Sequence, residues 1–265
     1  MTPRIGVFYS GVGGLTVLAE LRRQLPGADF VYVADSAHAP YGERSDAFLV
    51  DRSRRITRFL IDHGATLVVV ACNTATAAAI ATLRAEFAVP FVGIEPGVKP
   101  ALRLSRNGRV GVMATPATLR SAKFDTLLRA HAAGSEVRLQ PCAGLAEGIE
   151  QGRLDDAELL HKIETYCAPL RSARCDTVVL GCTHYPLVAP AIERALGPDV
   201  RLLDTAQAVA RQAARLWAQQ ARGGNAGEAP HGRIEAWTSG NLDLLRRMAA
   251  LCGLDDLAVS ALGAV

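Results

Sequence analysis

Val68 to Ala79 reads VVVACNTATAAA, and Thr177 to Ile192 reads TVVLGCTHYPLVAPAI. Each opens on a short, uncharged apolar run rich in valine, the pattern of a strand buried on both faces of a sheet. Each run reaches a cysteine, Cys72 or Cys182, then small polar residues (Asn73 and Thr74, or Thr183), then a segment that reads as helix. The two cysteines stand 110 residues apart, which suggests a site built twice from one plan.

The residues around these stretches repeat in the same order. Before Cys72 the sequence predicts a strand over Arg4 to Phe8, a glycine loop over Ser10 to Gly14, and a helix from Leu15 to about Leu25. A strand over Phe30 to Ala34 follows, then a loop holding Pro40, Tyr41 and Gly42, and a long helix from about Ser45 to His63. Pro90 to Ile94 completes the first set. Arg109 to Met113 then echoes Arg4 to Phe8, with Thr115 at the place of Ser10. Glu136 to Gln140, Thr177 to Gly181 and Val200 to Leu203 match the remaining three strands, at offsets of about 105 to 110 residues. Four matches in one order predict an internal duplication. Strands alternating with helices predict an α/β fold of open parallel sheets with right-handed crossovers.

After Asp204 the repeat stops. The sequence predicts a helix from about Ala206 to Ala221, a flexible glycine-rich stretch over 223–232, a strand over Arg233 to Thr238 and a closing helix over Leu242 to Cys252. This tail is too short for a third domain, so it is expected to return to the first. The expected domains are 1–97 with 207–265, and 98–206. They read as two similar α/β units, and if these face each other about a pseudo-twofold axis a site can lie in the cleft between them.

Composition excludes several function classes. Of 265 residues, 49 % are hydrophobic and 21 % charged, as in a globular protein with ample core. No apolar run approaches the ~18 residues of a membrane span, and the start has no apolar region typical of a signal peptide. A cytoplasmic protein is expected. A net charge of +3 and an aromatic content of 5 % argue against a nucleic-acid partner. The densest basic run, Arg52-Ser53-Arg54-Arg55 with Arg58, reads as a solvated helix face. The six cysteines contain no CxxC pair, so neither a disulfide framework nor a metal site is expected, and most read as core residues.

In open parallel sheets the functional crevice lies at the carboxyl ends of the strands. Cys72 and Cys182 stand at such ends. If the halves face each other, two sulfurs can flank one ligand, one thiolate removing a proton from a carbon and the other thiol delivering one to the opposite face. A thiol of pKa about 8.5 gains reactivity beside a helix N-terminus or a cation, and His184 lies two residues beyond Cys182. Buried structural thiols, a zinc site using Cys182 and His184, and single-cysteine nucleophilic catalysis with His184 as base are the competing readings. The Ser10 to Gly14 loop lacks a P-loop lysine and the third glycine of the dinucleotide fingerprint. Its amides at a helix start can instead hold a carboxylate. Asn73, Thr74 and Thr183 add donors suited to a substrate with two charged ends.

SGVGGLTVL (10–18), PYGERS (40–45), ACNTAT (71–76), GIEPG (93–97) and GCTHYP (181–186), in this order, resemble glutamate racemases of the aspartate/glutamate racemase superfamily. The resemblance covers nearly the whole chain. It implies a cofactor-independent racemase that supplies D-glutamate for peptidoglycan, with two similar domains, an active site between them and often a homodimer. It also implies that Cys72 and Cys182 are the proton donors and acceptors and that His184 assists Cys182. Ser10, Pro40, Tyr41, Gly42, Asn73, Thr74, Thr183 and His184 match substrate-binding positions. Glu150, in GLAEGIEQG, falls where the family has an acidic residue near the site, with Glu147 close by. Thr115 and Thr118 match small hydroxyl positions lining the pocket.

One residue departs from the family's pattern. Where the family reads Asp-Ser-Gly, this chain reads Tyr9-Ser10-Gly11. That aspartate is thought to assist the first cysteine, and a tyrosine, with a pKa near 10, supplies no carboxylate at neutral pH. Proton transfer on the Cys72 side is therefore expected to be weakened, and the pocket reshaped by a larger ring. The competing functions are an aspartate or related amino-acid racemase and an inactive relative that binds an amino acid or a partner protein.

Overall fold

The computed structural model describes residues 3–132, 134–220, 232–263 and 265. The chain begins with β1 (Arg4–Tyr9), α1 (Leu15–Gln24), β2 (Asp29–Ala34), α2 (Asp46–Asp62), β3 (Ala65–Val70), α3 (Asn73–Glu86) and β4 (Phe91–Gly93). It continues through α4 (Val98–Leu104), β5 (Arg109–Ala114), α5 (Pro116–Arg120), α6 (Ala122–His131), β6 (Glu136–Pro141), α7 (Leu145–Glu150) and α8 (Ala157–Ser172). The last elements are β7 (Thr177–Leu180), α9 (Ala189–Leu196), β8 (Arg201–Leu203), α10 (Ala206–Gln220), β9 (Ile234–Thr238), α11 (Leu242–Leu251) and β10 (Ala258–Ala261). No helix among the described residues is long and apolar enough to cross a membrane.

The strands form two open, parallel sheets, ordered β10-β9-β2-β1-β3-β4 and β6-β5-β7-β8. The order β2-β1-β3-β4 of the first recurs as β6-β5-β7-β8 in the second, strand for strand with the sequence repeat. Two compact units contain them: Met1–Ile94 with Ala206–Val265, and Glu95–Thr205. In the first unit, β3 is an interior strand between β1 and β4 and nearly every residue of ATLVVV is buried, which explains its unbroken apolar run. The tail adds β9 beside β2 and β10 beside β9. β10 was not expected from the sequence: it is a four-residue edge strand with little buried surface. Of the glycine-rich stretch 223–232, all but Gly232 lie outside the described residues, as does Ala221.

In the second unit, alternate residues serve opposite faces of the sheet, as the period of two requires. Val110, Val112 and Val179 pack with Val98 and Phe124 on one face. Met113, Val178 and Leu180 pack with Leu145, Ile149, Ile163, Leu170 and Ile192 on the other. Cys142, Cys167 and Cys175 belong to this second cluster. Burial pushes the Cys142 thiol far up and the Cys167 thiol up to about 12, so both are inert core residues at neutral pH.

Helix α2 shows how far the basic run conforms to a solvated face. Leu49, Arg52, Ser53, Ile56, Thr57 and Leu60 form its buried stripe, at the i, i+3, i+4, i+7 spacing of an inward helix face. Arg55 and Arg58 are exposed and Arg54 half-buried. Arg52 is a correction: it points inward and pairs with the buried Asp35.

Candidate active site

In the first unit the site residues gather at the carboxyl ends of β1, β2 and β3, which end in register. Ala71 donates its amide to the Phe8 carbonyl at 3.0 Å, carrying the chain one step past β3. Cys72 is then the N-cap of α3, and its sulfur accepts from the Ala75 amide at 3.4 Å. A sulfur among the free amides of a helix start sits at the positive end of the helix dipole, which favours a thiolate. Asn73 and Thr74 follow in the first turn, both buried. Neither the oxygen nor the nitrogen of the Asn73 side chain has a hydrogen-bond partner among the described residues. A buried amide left in this state costs about 1–3 kcal/mol, so a group with this geometry is matched to a ligand that both donates and accepts.

Ser10 is buried immediately after β1, and Tyr9 ends that strand with 3 % of its surface exposed. A Cβ added to Gly14 would lie 2.5 Å from the Tyr9 Cβ and 2.7 Å from the Tyr32 hydroxyl oxygen. The short 3-10 turn Val12–Gly14 therefore passes this close to the end of β1 and to Tyr32 only because residue 14 is glycine. Tyr32 donates to the Gly11 carbonyl at 2.7 Å and ties this turn to β2. Pro40, Tyr41 and Gly42 lie in the loop beyond β2, where the 3-10 turn Tyr41–Glu43 packs on α3. Pro40 and Gly42 are half-buried and Tyr41 is buried.

In the second unit Gly181 and Cys182 lead out of β7. A Cβ on Gly181 would come within 2.9 Å of both the Met113 carbonyl and the Ala114 Cβ. The glycine lets the chain pass close over the end of β5 and fixes where Cys182 emerges. No helix starts there, contrary to the sequence reading. A turn comes first, then a 3-10 helix, Tyr185–Val188, and α9 begins only at Ala189. Pro186 and Pro190 account for the delay, since each lacks the amide proton that a helix running on from Cys182 would need at its position. The Cys182 sulfur therefore has a side-chain partner in place of a helix start.

That partner is His184. Its Nδ1 lies 3.8 Å from the Cys182 sulfur and its Nε2 lies 2.7 Å from a Glu150 carboxylate oxygen. Glu150 ends α7, whereas Glu147, one turn earlier, is exposed. Of the two, it is Glu150 that the structure brings to His184. Burial alone would lower the His184 pKa, but the Cys182 and Glu150 contacts outweigh it and raise it from 6.5 to about 9. The imidazole can accept the thiol proton, because Glu150 stabilises the imidazolium that results. Thr183, between Cys182 and His184 in the sequence, is also buried. Thr115 caps α5 by accepting from the Thr118 amide at 3.2 Å, and its hydroxyl donates to that of Thr118 at 2.9 Å. Both threonines lie just past β5, at the same end of the sheet as Cys182.

A stability effect follows from His184. Its pKa is higher folded than unfolded, so the stabilisation is complete below pH 6.5 and is lost as pH rises through about 9. A shift of this size corresponds to roughly 3 kcal/mol. Thermal unfolding followed across that range should show this fall in the unchanged protein and a clearly smaller one in Glu150→Gln. Equal slopes would mean that Glu150 is not what holds the proton.

Two residues of the first unit escaped sequence reasoning, Asp35 and Arg52. Asp35 immediately follows β2, a carboxyl-end position that could have marked it, and Arg52 lies on the apolar stripe of α2.

Comparison with known proteins identifies the family. The Asp/Glu/Hydantoin racemase family model matches residues 13–213. The chain is 50 % identical to the glutamate racemase of Pseudomonas paraeruginosa over 218 residues, 82 % of each chain. It is 47 % identical to that of Pseudomonas putida over 247 residues, 92 % of this chain and 91 % of the relative. Among solved structures it is similar to Escherichia coli glutamate racemase in complex with L-glutamate and the activator UDP-MurNAc-ala. That likeness has a TM-score of 0.85 at 34 % identity, over 98 % of this chain and 99 % of the other. A glutamate racemase isoform of Bacillus anthracis gives a TM-score of 0.87 at 30 % identity, over 99 % and 98 %. The chain belongs to the Asp/Glu/Hydantoin racemase family.

Proposed function

We propose that this chain interconverts L- and D-glutamate without a cofactor, by proton transfer at the α carbon between two cysteines. The observation that carries the reading is the placement of Cys72 and Cys182 just past β3 and β7, corresponding strands of two sheets with the same order. Relatives named glutamate racemase, near 50 % identical, support glutamate as the substrate.

One thiolate removes the α proton from one face, and the opposite thiol protonates the carbanion from the other. His184, held by Glu150, keeps the Cys182 proton in reach. Ser10, the Pro40–Gly42 loop, Asn73 and Thr74 bind substrate on the Cys72 side, and Thr115, Thr118 and Thr183 bind it on the Cys182 side. The units 1–97 with 207–265 and 98–206 each supply one half of the site. The product D-glutamate serves peptidoglycan synthesis and so the shape of the cell wall. The protein works in the cytoplasm as a homodimer.

The test is loss of optical activity with L-glutamate and D-glutamate in turn, with aspartate in parallel. Turnover of glutamate in both directions supports the reading. Inactivity with glutamate beside activity with aspartate points to an aspartate racemase, and inactivity with both to an amino-acid-binding relative. Tyr9→Asp, run alongside, is expected to raise turnover on the order of a hundredfold, the lower end of what a positioned acid–base group contributes. Replacing a packed ring by a smaller side chain should also cost about 3 kcal/mol of stability. Unchanged turnover in that variant would show that the Cys72 side does not need the aspartate.

A further inference from the structure

The Asp35 side chain is wholly removed from solvent, just beyond the end of β2. Its amide donates to the Tyr9 carbonyl at 2.9 Å, so it stands beside the β1 position where the family resemblance leads one to expect an aspartate. On the opposite side of β1, the Ala71 amide bonds Phe8 and leads to Cys72. The buried carboxylate nearest in the sheet to Tyr9 is therefore Asp35.

Five donors fill that carboxylate. Oδ2 accepts from the Tyr41 hydroxyl at 2.7 Å and from Arg52 Nε at 3.0 Å. Oδ1 pairs with Arg52 Nη2 at 2.7 Å, His38 Nδ1 at 2.9 Å and the Ser239 hydroxyl at 3.2 Å. Burial pushes the Asp35 carboxyl up, but the Arg52, Tyr41 and His38 contacts outweigh it and hold the carboxyl below its ordinary value. Burial and then the Asp35 charge push the Tyr41 phenol well above its ordinary value, so it remains a neutral donor.

A buried ion pair is weak evidence for stability, since apolar residues of similar volume often serve a fold as well. A fully satisfied polar network does something apolar packing does not: it fixes the orientation of each member. The member with somewhere to act is Tyr41. Its 3-10 turn packs on α3, whose first turn carries Cys72, Asn73 and Thr74.

We infer that Asp35, clamped by Arg52, is a positioning residue for the Cys72 half of the racemisation, and that it acts through the Tyr41 hydroxyl. The hydrogen bond holds Tyr41 and the Pro40–Gly42 loop against the helix start that presents Cys72 and Asn73. This role rests on the racemase reading. It gives the Cys72 side a fixed frame in a chain where Tyr9 occupies the expected aspartate position.

The test uses α-deuterated L-glutamate and D-glutamate with the unchanged full chain, Tyr41→Phe, Asp35→Asn and Glu150→Gln. The equilibrium constant of a racemisation is one, so kcat/KM must be equal in both directions for every variant. The isotope effect on kcat/KM is not so bound: in each direction it reports the step in which one cysteine removes the proton. Tyr41→Phe deletes one oxygen and leaves the Asp35–Arg52 pair in place, which keeps the fold. It should lower kcat/KM on the order of tenfold to a hundredfold. It should also raise the isotope effect in one direction and lower it in the other, and Asp35→Asn should shift both effects in the same sense. Glu150→Gln, acting on the Cys182 side, should shift them in the opposite sense. An equal loss with unchanged isotope effects in both directions, or no loss, would overturn the inference and leave the racemase reading standing. A lack of turnover by the unchanged protein would overturn both.

Discussion

Replacing Cys182 with serine is expected to lower glutamate racemisation on the order of 10³-fold, the middle of the range for a positioned acid–base group. Cys72→Ser should do the same. A hydroxyl resists ionisation near neutrality far more than a thiol, so neither His184 nor the start of α3 can make serine an adequate base. Both cysteines are nearly fully buried, and the exchange of sulfur for oxygen leaves the side chain's shape almost unchanged, so the fold should survive. The two variants should differ in what remains. Each keeps one working thiol and should still exchange the α proton of one enantiomer slowly, the opposite enantiomer in each case. Cys142→Ser is the control, because that thiol belongs to the core and burial pushes it out of the titrating range. Turnover that survives replacement of both Cys72 and Cys182 would end the two-base account.

Arg52→Ala is expected to destabilise the protein by about 3–5 kcal/mol, the usual cost of leaving one member of a buried ion pair unpaired. Arg52 supplies two of the five hydrogen bonds on Asp35 and also donates to the Val265 carbonyl. In the unchanged protein the Asp35 carboxyl lies below its ordinary value. It therefore contributes stability above the unfolded pKa that is lost as pH falls. Without Arg52, burial dominates and the folded pKa rises above the unfolded one. The contribution then reverses: it is present at low pH and lost as pH rises through the new value. Denaturant unfolding at about pH 4 and pH 7 should thus show the variant closest to the unchanged protein at the lower pH. A loss under about 1 kcal/mol at both would place the pair among exposed ones.

The parts of the fold that sequence revealed are those whose signal is local. VVVACN and VVLGCT read as buried strands ending in cysteine, because a central parallel strand has no solvent side to encode. The order of the four repeated strands follows from the same logic. The helix after Cys182 was misplaced because HYPLVAP has helical composition while Pro186 and Pro190 postpone the start to Ala189. Arg52 reads as a surface residue because three arginines share its run, and its partner lies 17 positions away. The sequence signal for its inward position is the spacing of Leu49, Ile56 and Leu60, whose stripe includes it. Glu150 could not be separated from Glu147 by composition. The end of α7 brings one of them within 2.7 Å of His184 and leaves the other in solvent.

The measurement that bears most directly on the two-cysteine account is proton exchange during turnover in deuterium oxide, starting from one enantiomer of glutamate. Early in the reaction, product and residual substrate are separated on a chiral column and their α positions examined by mass. The account predicts solvent deuterium in the product enantiomer and almost none in the recovered substrate, since one thiol removes the proton and another delivers a deuteron. Equal early labelling of both enantiomers would show a single group working on both faces and would contradict it.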